Sequence, residues 1–263
     1  MTEACVTIQI DDRGVAVITL NRPEKHNAFD DVVIAELRDV FDQLAQREDV
    51  RVVILASNGK NFSAGADLGW MKRMAEYDYA HNHKDAQLLA GMLKALHDLP
   101  QPTIARVQGA AFGGAVGLVS CCDMAVAAES ASFCLSEVKI GLIPATISPY
   151  VIKAIGERAA RRYFTTAERF RAAEGLRVGL VSEVVAENEL DAAVEKLVST
   201  LLQNGPLAVR AAKKLVVDVA GHDISAALIE DTCGRIAQMR ISDEGQEGLG
   251  AFLNKRKPNW LGE

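Results

Sequence analysis

The sequence predicts an α/β fold built on parallel strands and closed by a helical tail. Short buried strands alternate with segments of helical period through the first half, the pattern of right-handed βαβ crossovers. After Pro144 the pattern becomes helical almost without a break. With 263 residues, 49% hydrophobic and 24% charged, the chain can bury one sizeable core and needs no second domain.

Along the chain, Val6 to Ile10 alternates apolar and polar residues, Asp11 to Gly14 turns, and Val15 to Leu20 is a more buried strand. Asn21-Arg22-Pro23 ends that pairing. From Asp30, the apolar residues Val33, Ile34, Leu37, Val40, Phe41 and Leu44 recur at helical spacing, giving an amphipathic helix that closes near Arg47. Val52 to Ala56 is a short buried strand, Ala64 to Gly69 a turn, and a long helix runs from about Ala86 to Leu96. Ile104 to Val107 is the next strand, and a helix opens after Gly113. In the tail, Leu180 to Val185 interrupts the helices as a short strand, and Gln203-Asn204-Gly205-Pro206 stops one helix and starts another. Such a tail can cover the core or exchange with a neighbouring subunit.

The net charge of −6 comes without a basic run, which argues against a general DNA or RNA surface and points to small molecules or copies of the same chain as partners. Cys5, Cys121, Cys122, Cys134 and Cys233 form an odd set without Cys-x-x-Cys spacing, so they read as reduced, mostly buried thiols rather than staples or zinc ligands. No metal site is expected. His81 and His83 are two apart, not the one-face spacing of a helical metal pair, and read as a surface loop. Ser63, Ser136 and Ser148 lack the Gly-x-Ser-x-Gly elbow of a hydrolase nucleophile. The first residues carry no basic-then-apolar signal, and no apolar run is long enough to span a bilayer. A cytoplasmic protein is expected, or a matrix protein if a targeting peptide was removed.

The chemistry concentrates between Val107 and Pro144. Phe112-Gly113-Gly114-Ala115 lacks the lysine of a P-loop, but as a helix start it offers exposed N–H groups that favour developing negative charge. Glu137 stands in otherwise apolar sequence, where desolvation raises a carboxyl pKa and fits it for proton transfer near neutral pH. A glutamate that simply pairs with Lys139 or a backbone amide is the alternative. A second glycine turn, Phe62-Ser63-Ala64-Gly65-Ala66-Asp67-Leu68, also follows a buried strand, and two such turns can converge two N–H groups on one oxygen.

These motifs together resemble the crotonase, or enoyl-CoA hydratase/isomerase, superfamily over the whole chain. The match is carried by Asn21-Arg22-Pro23 with Asn27-Ala28, the Phe62 to Leu68 turn, Gly109-Ala110-Ala111-Phe112-Gly113-Gly114, Cys122-Asp123, and Ser136-Glu137 running on to Pro144. The resemblance implies a spiral of ββα units over residues 1–200. It also implies a C-terminal helical region, 201–263, that helps form trimers, often paired as hexamers. It further implies an acyl-CoA thioester whose carbonyl oxygen is held by the backbone amides of Ala66 and Gly114, with no cofactor beyond the CoA of the substrate. Lys25, Ala28, Ala64, Asp67 and Leu68 are then expected along the CoA, and Phe252 and Lys255 at its nucleotide end, commonly from a neighbouring subunit.

One position departs from the family's two-glutamate pattern. Gly117, in Ala115-Val116-Gly117-Leu118, stands where such hydratases carry their first glutamate. A single carboxylate, Glu137, must then take a proton and return it. Within the superfamily the chain most resembles bacterial methylglutaconyl-CoA hydratases and their isohexenylglutaconyl-CoA relatives, through Ser63 to Met71, Phe133 to Gly141, Ala145 to Tyr150 and Ile155 to Phe164. The expected reaction is hydration of 3-methylglutaconyl-CoA to 3-hydroxy-3-methylglutaryl-CoA, as in leucine degradation. A double-bond isomerase and a non-catalytic acyl-CoA or RNA-binding protein are the alternatives. Trp70 is a candidate for the acyl pocket, and Lys72, Arg73 and Lys84 are candidates to hold a distal carboxylate, which a buried site must pair with a cation or several donors.

Overall fold

A computed structural model describes residues 4–262. Strands β1 (Val6–Ile10), β2 (Val15–Leu20), β3 (Val52–Ser57), β4 (Thr103–Val107), β6 (Met124–Ala128) and β9 (Glu183–Val185) form a 6-stranded sheet in the order β1-β2-β3-β4-β6-β9. The β1–β2 hairpin is antiparallel and every later pairing in this sheet is parallel. A smaller sheet, β5-β7-β8, joins β5 (Ala110–Phe112), β7 (Ser132–Cys134) and β8 (Phe170–Arg171).

The chain spirals because each repeat puts one segment in each sheet and then a helix. β4 is followed by β5 and then α4 (Gly114–Cys121); β6 is followed by β7 and, after a 3-10 turn, α5 (Ser148–Thr166). Two earlier repeats do the same with single-residue bridges, Phe29 to Ala66 and Ser63 to Ala111, in place of full strands. These bridges precede α1 (Asp31–Ala45), α2 (Leu68–Glu76) and α3 (Tyr79–His97).

Alternation along the strands divides the core between the two faces of the sheet. Ile18, Leu20, Val53, Leu55, Ala105 and Val107 pack with α1, α3 and α4, while Val15, Val52, Ile54, Ile104 and Val126 pack with Leu190, Ala193, Val194 and Val198 of α7 (Leu190–Leu202). On α1, Val33, Ile34, Leu37, Phe41 and Leu44 are buried at the predicted spacing, each worth about 1.5–3 kcal/mol of hydrophobic transfer. Asp30 starts this helix by accepting from the Val33 N–H at 3.0 Å.

The tail continues from α6 (Ala172–Val178) and α7 into α8 (Pro206–Val219), α9 (Ala226–Ile241) and α10 (Asp243–Leu253). Its helices bury few apolar side chains, and polar clamps fix α8 to the core. Arg210 donates to the carbonyls of Arg47, Glu48 and Val50, and Lys213 reaches Asp123 at 2.7 Å and the Gln101 carbonyl at 2.9 Å.

Helix begins earlier than the apolar pattern suggests. Residues read as turn and surface loop belong to α2 and the first turns of α3, so His81 and His83 are exposed helical residues. The reason is local capping: Asp67 accepts from the N–H groups of Gly69 and Trp70, and Asp78 accepts from that of His81. Glu137 opens a 3-10 turn, Glu137–Ile140, and α1 closes at Ala45, two residues before the expected Arg47.

Candidate active site

The site grows from the Phe29–Ala66 bridge. Phe29 uses both its backbone groups there: its N–H donates to the Gly65 carbonyl at 2.8 Å and its carbonyl accepts from the Asp67 N–H at 2.7 Å. Ala66, lying between those two partners, leaves its own N–H out of the bridge. Gly114 is the first residue of α4, so its N–H also falls outside the intrahelical ladder. Both residues line one cavity of about 590 Å³, together with Phe29, Trp70, Glu137 and Ile147.

The turn before α4 is fixed by Gly113. Its φ of +55° with ψ of −121° suits glycine, and its N–H donates to the Cys134 carbonyl at 2.9 Å, tying β5 to the end of β7. A β-carbon there would stand 3.3 Å from Glu137 Oε1, so glycine also keeps the carboxylate's space open.

Glu137 is held by its backbone and not by its side chain. Its carbonyl accepts from the Leu142 N–H at 3.1 Å, whereas Oε2 is buried without a hydrogen-bond partner among the described residues. Lys139 is exposed and forms no ion pair with it among those residues. Burial holds the Glu137 pKa above its usual carboxylate value, which poises it for proton transfer.

The predicted CoA contacts gather on one rim. The Ala28 N–H donates to the Lys25 carbonyl at 3.1 Å, and the Ala64 N–H to that of His26 at 3.0 Å. Beneath them Asn27 is buried and donates to the carbonyls of Asn58 and Asn61, so one side chain fastens the Lys25 loop to the turn after β3. Asp67 caps α2 and faces Lys25 Nζ at 3.4 Å and Arg22 Nη2 at 3.7 Å. Burial pushes its pKa up, but the Trp70 and Gly69 N–H groups and Lys25 outweigh that and hold it below the ordinary value. Leu68 is 74% exposed beside this rim. Phe252 and Lys255 lie at the end of α10, and neither lines the cavity; Phe252 is 80% exposed.

Gly117 is buried in α4, and the space beyond it is occupied. A β-carbon there would lie 2.4 Å from Ile147 Cγ2 and 3.4 Å from Leu93 Cδ2. The expected cations do not line the cavity either: Lys72, Arg73 and Lys84 are exposed, and Arg73 pairs with Asp31. The charged lining residues are Asp85 and Glu137. Phe29, Asn82, Asp85 and Ile147 were not singled out from sequence. Phe29 directly follows the Asn27-Ala28 motif and could have been found; Asn82 and Asp85 sit on a helix whose start the apolar period missed. Among the described residues no His, Cys, Asp and Glu group of three or more could hold a metal ion, and no helix is long and apolar enough to cross a membrane.

A carboxylate with one buried, unpaired oxygen and two backbone N–H groups outside any ladder share one cavity within a ββα spiral, the arrangement of a protein of the crotonase type. The enoyl-CoA hydratase/isomerase family model matches residues 11–263, and the chain belongs to that family. It is similar to the solved structure of an enoyl-CoA hydratase from Shewanella pealeana, with 47% identity, a TM-score of 0.94, and coverage of 97% of this chain and 96% of that one. It is 31% identical to a crotonyl-CoA hydratase of Syntrophomonas wolfei, over 95% of both chains. It is also 34% identical to the human mitochondrial enoyl-CoA hydratase domain-containing protein 2, covering 96% of this chain and 87% of that protein.

Proposed function

We propose that the protein catalyses reversible hydration of a branched enoyl-CoA, with Glu137 as its single acid/base and the N–H groups of Ala66 and Gly114 as the oxyanion hole. The observation that carries this reading is the Glu137 carboxyl group, whose buried Oε2 has no hydrogen-bond partner among the described residues, in the same cavity as those two donors. Glu137 takes a proton from water as the oxygen adds to C3, and returns a proton to C2, while the two amides hold the enolate oxygen. Loss of one such donor costs about 2.7–4 kcal/mol in comparable sites. No cofactor is required beyond the CoA carried by the substrate.

The likeness to methylglutaconyl-CoA hydratases supports a branched acyl group and offers 3-methylglutaconyl-CoA, a branched skeleton with a terminal carboxylate, as the candidate to test. The apolar lining of Leu89, Leu142, Ile143 and Ile147 suits the branched skeleton, whereas the lining residues include no cation for a second carboxylate. A double-bond isomerase is the second reading, since one carboxylate suffices to move a proton between carbons. Turnover in ¹⁸O-labelled water separates the two: a hydratase places solvent oxygen in the product, and an active enzyme that incorporates none is an isomerase.

Assembly as a trimer or a dimer of trimers is part of this proposal. Exposed Ile241, Leu253 and Phe252 on the tail support it, and in such an assembly Phe252 and Lys255 would serve a neighbouring subunit's CoA. Sedimentation of the purified chain as a monomer would remove that role.

A further inference from the structure

The cavity beside Glu137 has a wall that the thioester chemistry leaves unused. Trp70 and Met74 of α2 and Asn82, Asp85, Ala86 and Leu89 of α3 build it. The Trp70 indole is 5% exposed, and its Nε1–H donates to Asp85 Oδ1 at 3.2 Å. That bond orients the carboxylate while leaving its second oxygen without a hydrogen bond among the described residues. The Asn82 amide donates to the carbonyls of Tyr77 at 3.0 Å and Met74 at 3.4 Å, which ties α3 to the end of α2 and commits its N–H groups. The polar side chains of this wall therefore offer acceptors. Thr146 adds a hydroxyl to the lining, but both charged lining residues, Asp85 and Glu137, are acidic.

A carboxylate brought into such a pocket would need a cation or several donors, and here it meets like charge. We propose that Asp85, held by Trp70, is a specificity-determining residue. It selects acyl groups whose far end is uncharged or carries a hydrogen-bond donor such as a hydroxyl, and it rejects acyl groups ending in a second carboxylate. The proposal rests on the acyl-thioester reading of the same cavity and deepens it.

The test compares kcat/KM for 3-methylcrotonyl-CoA and 3-methylglutaconyl-CoA, which share a branched skeleton and differ in the terminal carboxylate, in the wild-type chain and in Asp85→Asn. Asparagine keeps an oxygen to accept from the indole. The wild-type enzyme should favour the uncharged substrate by about tenfold or more, as expected for uncompensated like charge. The gap should narrow at high salt, because part of the repulsion is screened, and should largely close in Asp85→Asn. Trp70→Phe, which releases the carboxylate from its anchor, should also narrow it and serves if Asp85→Asn does not fold. Equal or better use of the carboxylated substrate by the wild-type chain, or an unchanged ratio in the folded Asp85 variant, overturns the proposal. Calorimetric Kd values for the saturated pair, isovaleryl-CoA and 3-methylglutaryl-CoA, keep this separate from the hydratase reading. Discrimination in binding without turnover supports Asp85 and sinks the hydratase, whereas turnover without discrimination does the reverse.

Discussion

Ile147 fills the space that any side chain at Gly117 would need: a β-carbon on residue 117 would stand 2.4 Å from Cγ2 and 2.9 Å from Cβ of Ile147. The departure from a two-glutamate site is thus built into the packing between α4 and the start of α5. Gly117→Glu should not create a second acid/base. It should overpack the core at about 1–3 kcal/mol and bury an unpaired charge besides, lowering the melting temperature by several degrees. Gly117→Glu combined with Ile147→Gly should recover part of that loss. A single Gly117→Glu variant that melts with the wild type would show that the contact yields easily.

Replacing Glu137 by Gln keeps the shape and removes the proton carrier, so kcat should fall by about 10²–10⁴ with the fold intact. Near-wild-type turnover would sink the mechanism.

The same residue sets a pH dependence. Its pKa is raised by burial above the ordinary carboxylate value, so folding favours the protonated form relative to the unfolded chain. Stability from this group is therefore complete below the unfolded pKa and is lost as pH rises through the folded one. Glu137→Gln should match or exceed the wild-type stability at neutral pH, and that difference should vanish in acid. Activity, which needs the ionised base, should have its acid limb displaced upward from the ordinary carboxylate range. Denaturant titrations and rate profiles across pH measure both.

Gly113→Ala places a methyl group at φ +55° and 3.3 Å from Glu137 Oε1, closer than an ordinary van der Waals contact. Strain of this kind costs on the order of 1–3 kcal/mol, and it falls on the turn that presents the Gly114 N–H. Activity should drop far more than the melting temperature; equal, small changes in both would mean that the turn does not need glycine.

Asp67 combines two roles that substitutions can separate. Asp67→Asn retains a good helix cap and loses the charges facing Lys25 and Arg22, whereas Asp67→Ala loses the cap as well, at about 1 kcal/mol. Because the folded Asp67 pKa is depressed, its contribution is present above the unfolded pKa and lost as pH falls through the folded value. Chemical denaturation of the two variants at neutral pH should rank Asn above Ala.

Sequence patterning served well wherever the signal is local. The β1 and β2 boundaries follow from alternation next to a turn, the buried face of α1 from its spacing, and the α7–α8 junction from Asn204-Gly205-Pro206. It missed α2 and the start of α3 because those helices rest on aspartate caps and bury few side chains, so hydrophobic period had little to register. The candidate site was readable through its glycine turns and Glu137, since backbone donors and a carboxylate in apolar sequence are themselves unusual.

What the residues alone determined was the alternation of strands and helices, the family likeness, Glu137 in its apolar run and the glycine at 117. The folded chain decided what that glycine means. Ile147, 30 positions later in sequence, closes the space beside it, and only the crossing of α4 with the start of α5 brings the two together. The same holds for the acidic wall at Asp85, which lines the cavity with its carboxylate held by Trp70 on another helix. Period and motif are written in neighbouring residues, but occupied volume and unpaired charge are properties of segments that meet only after folding.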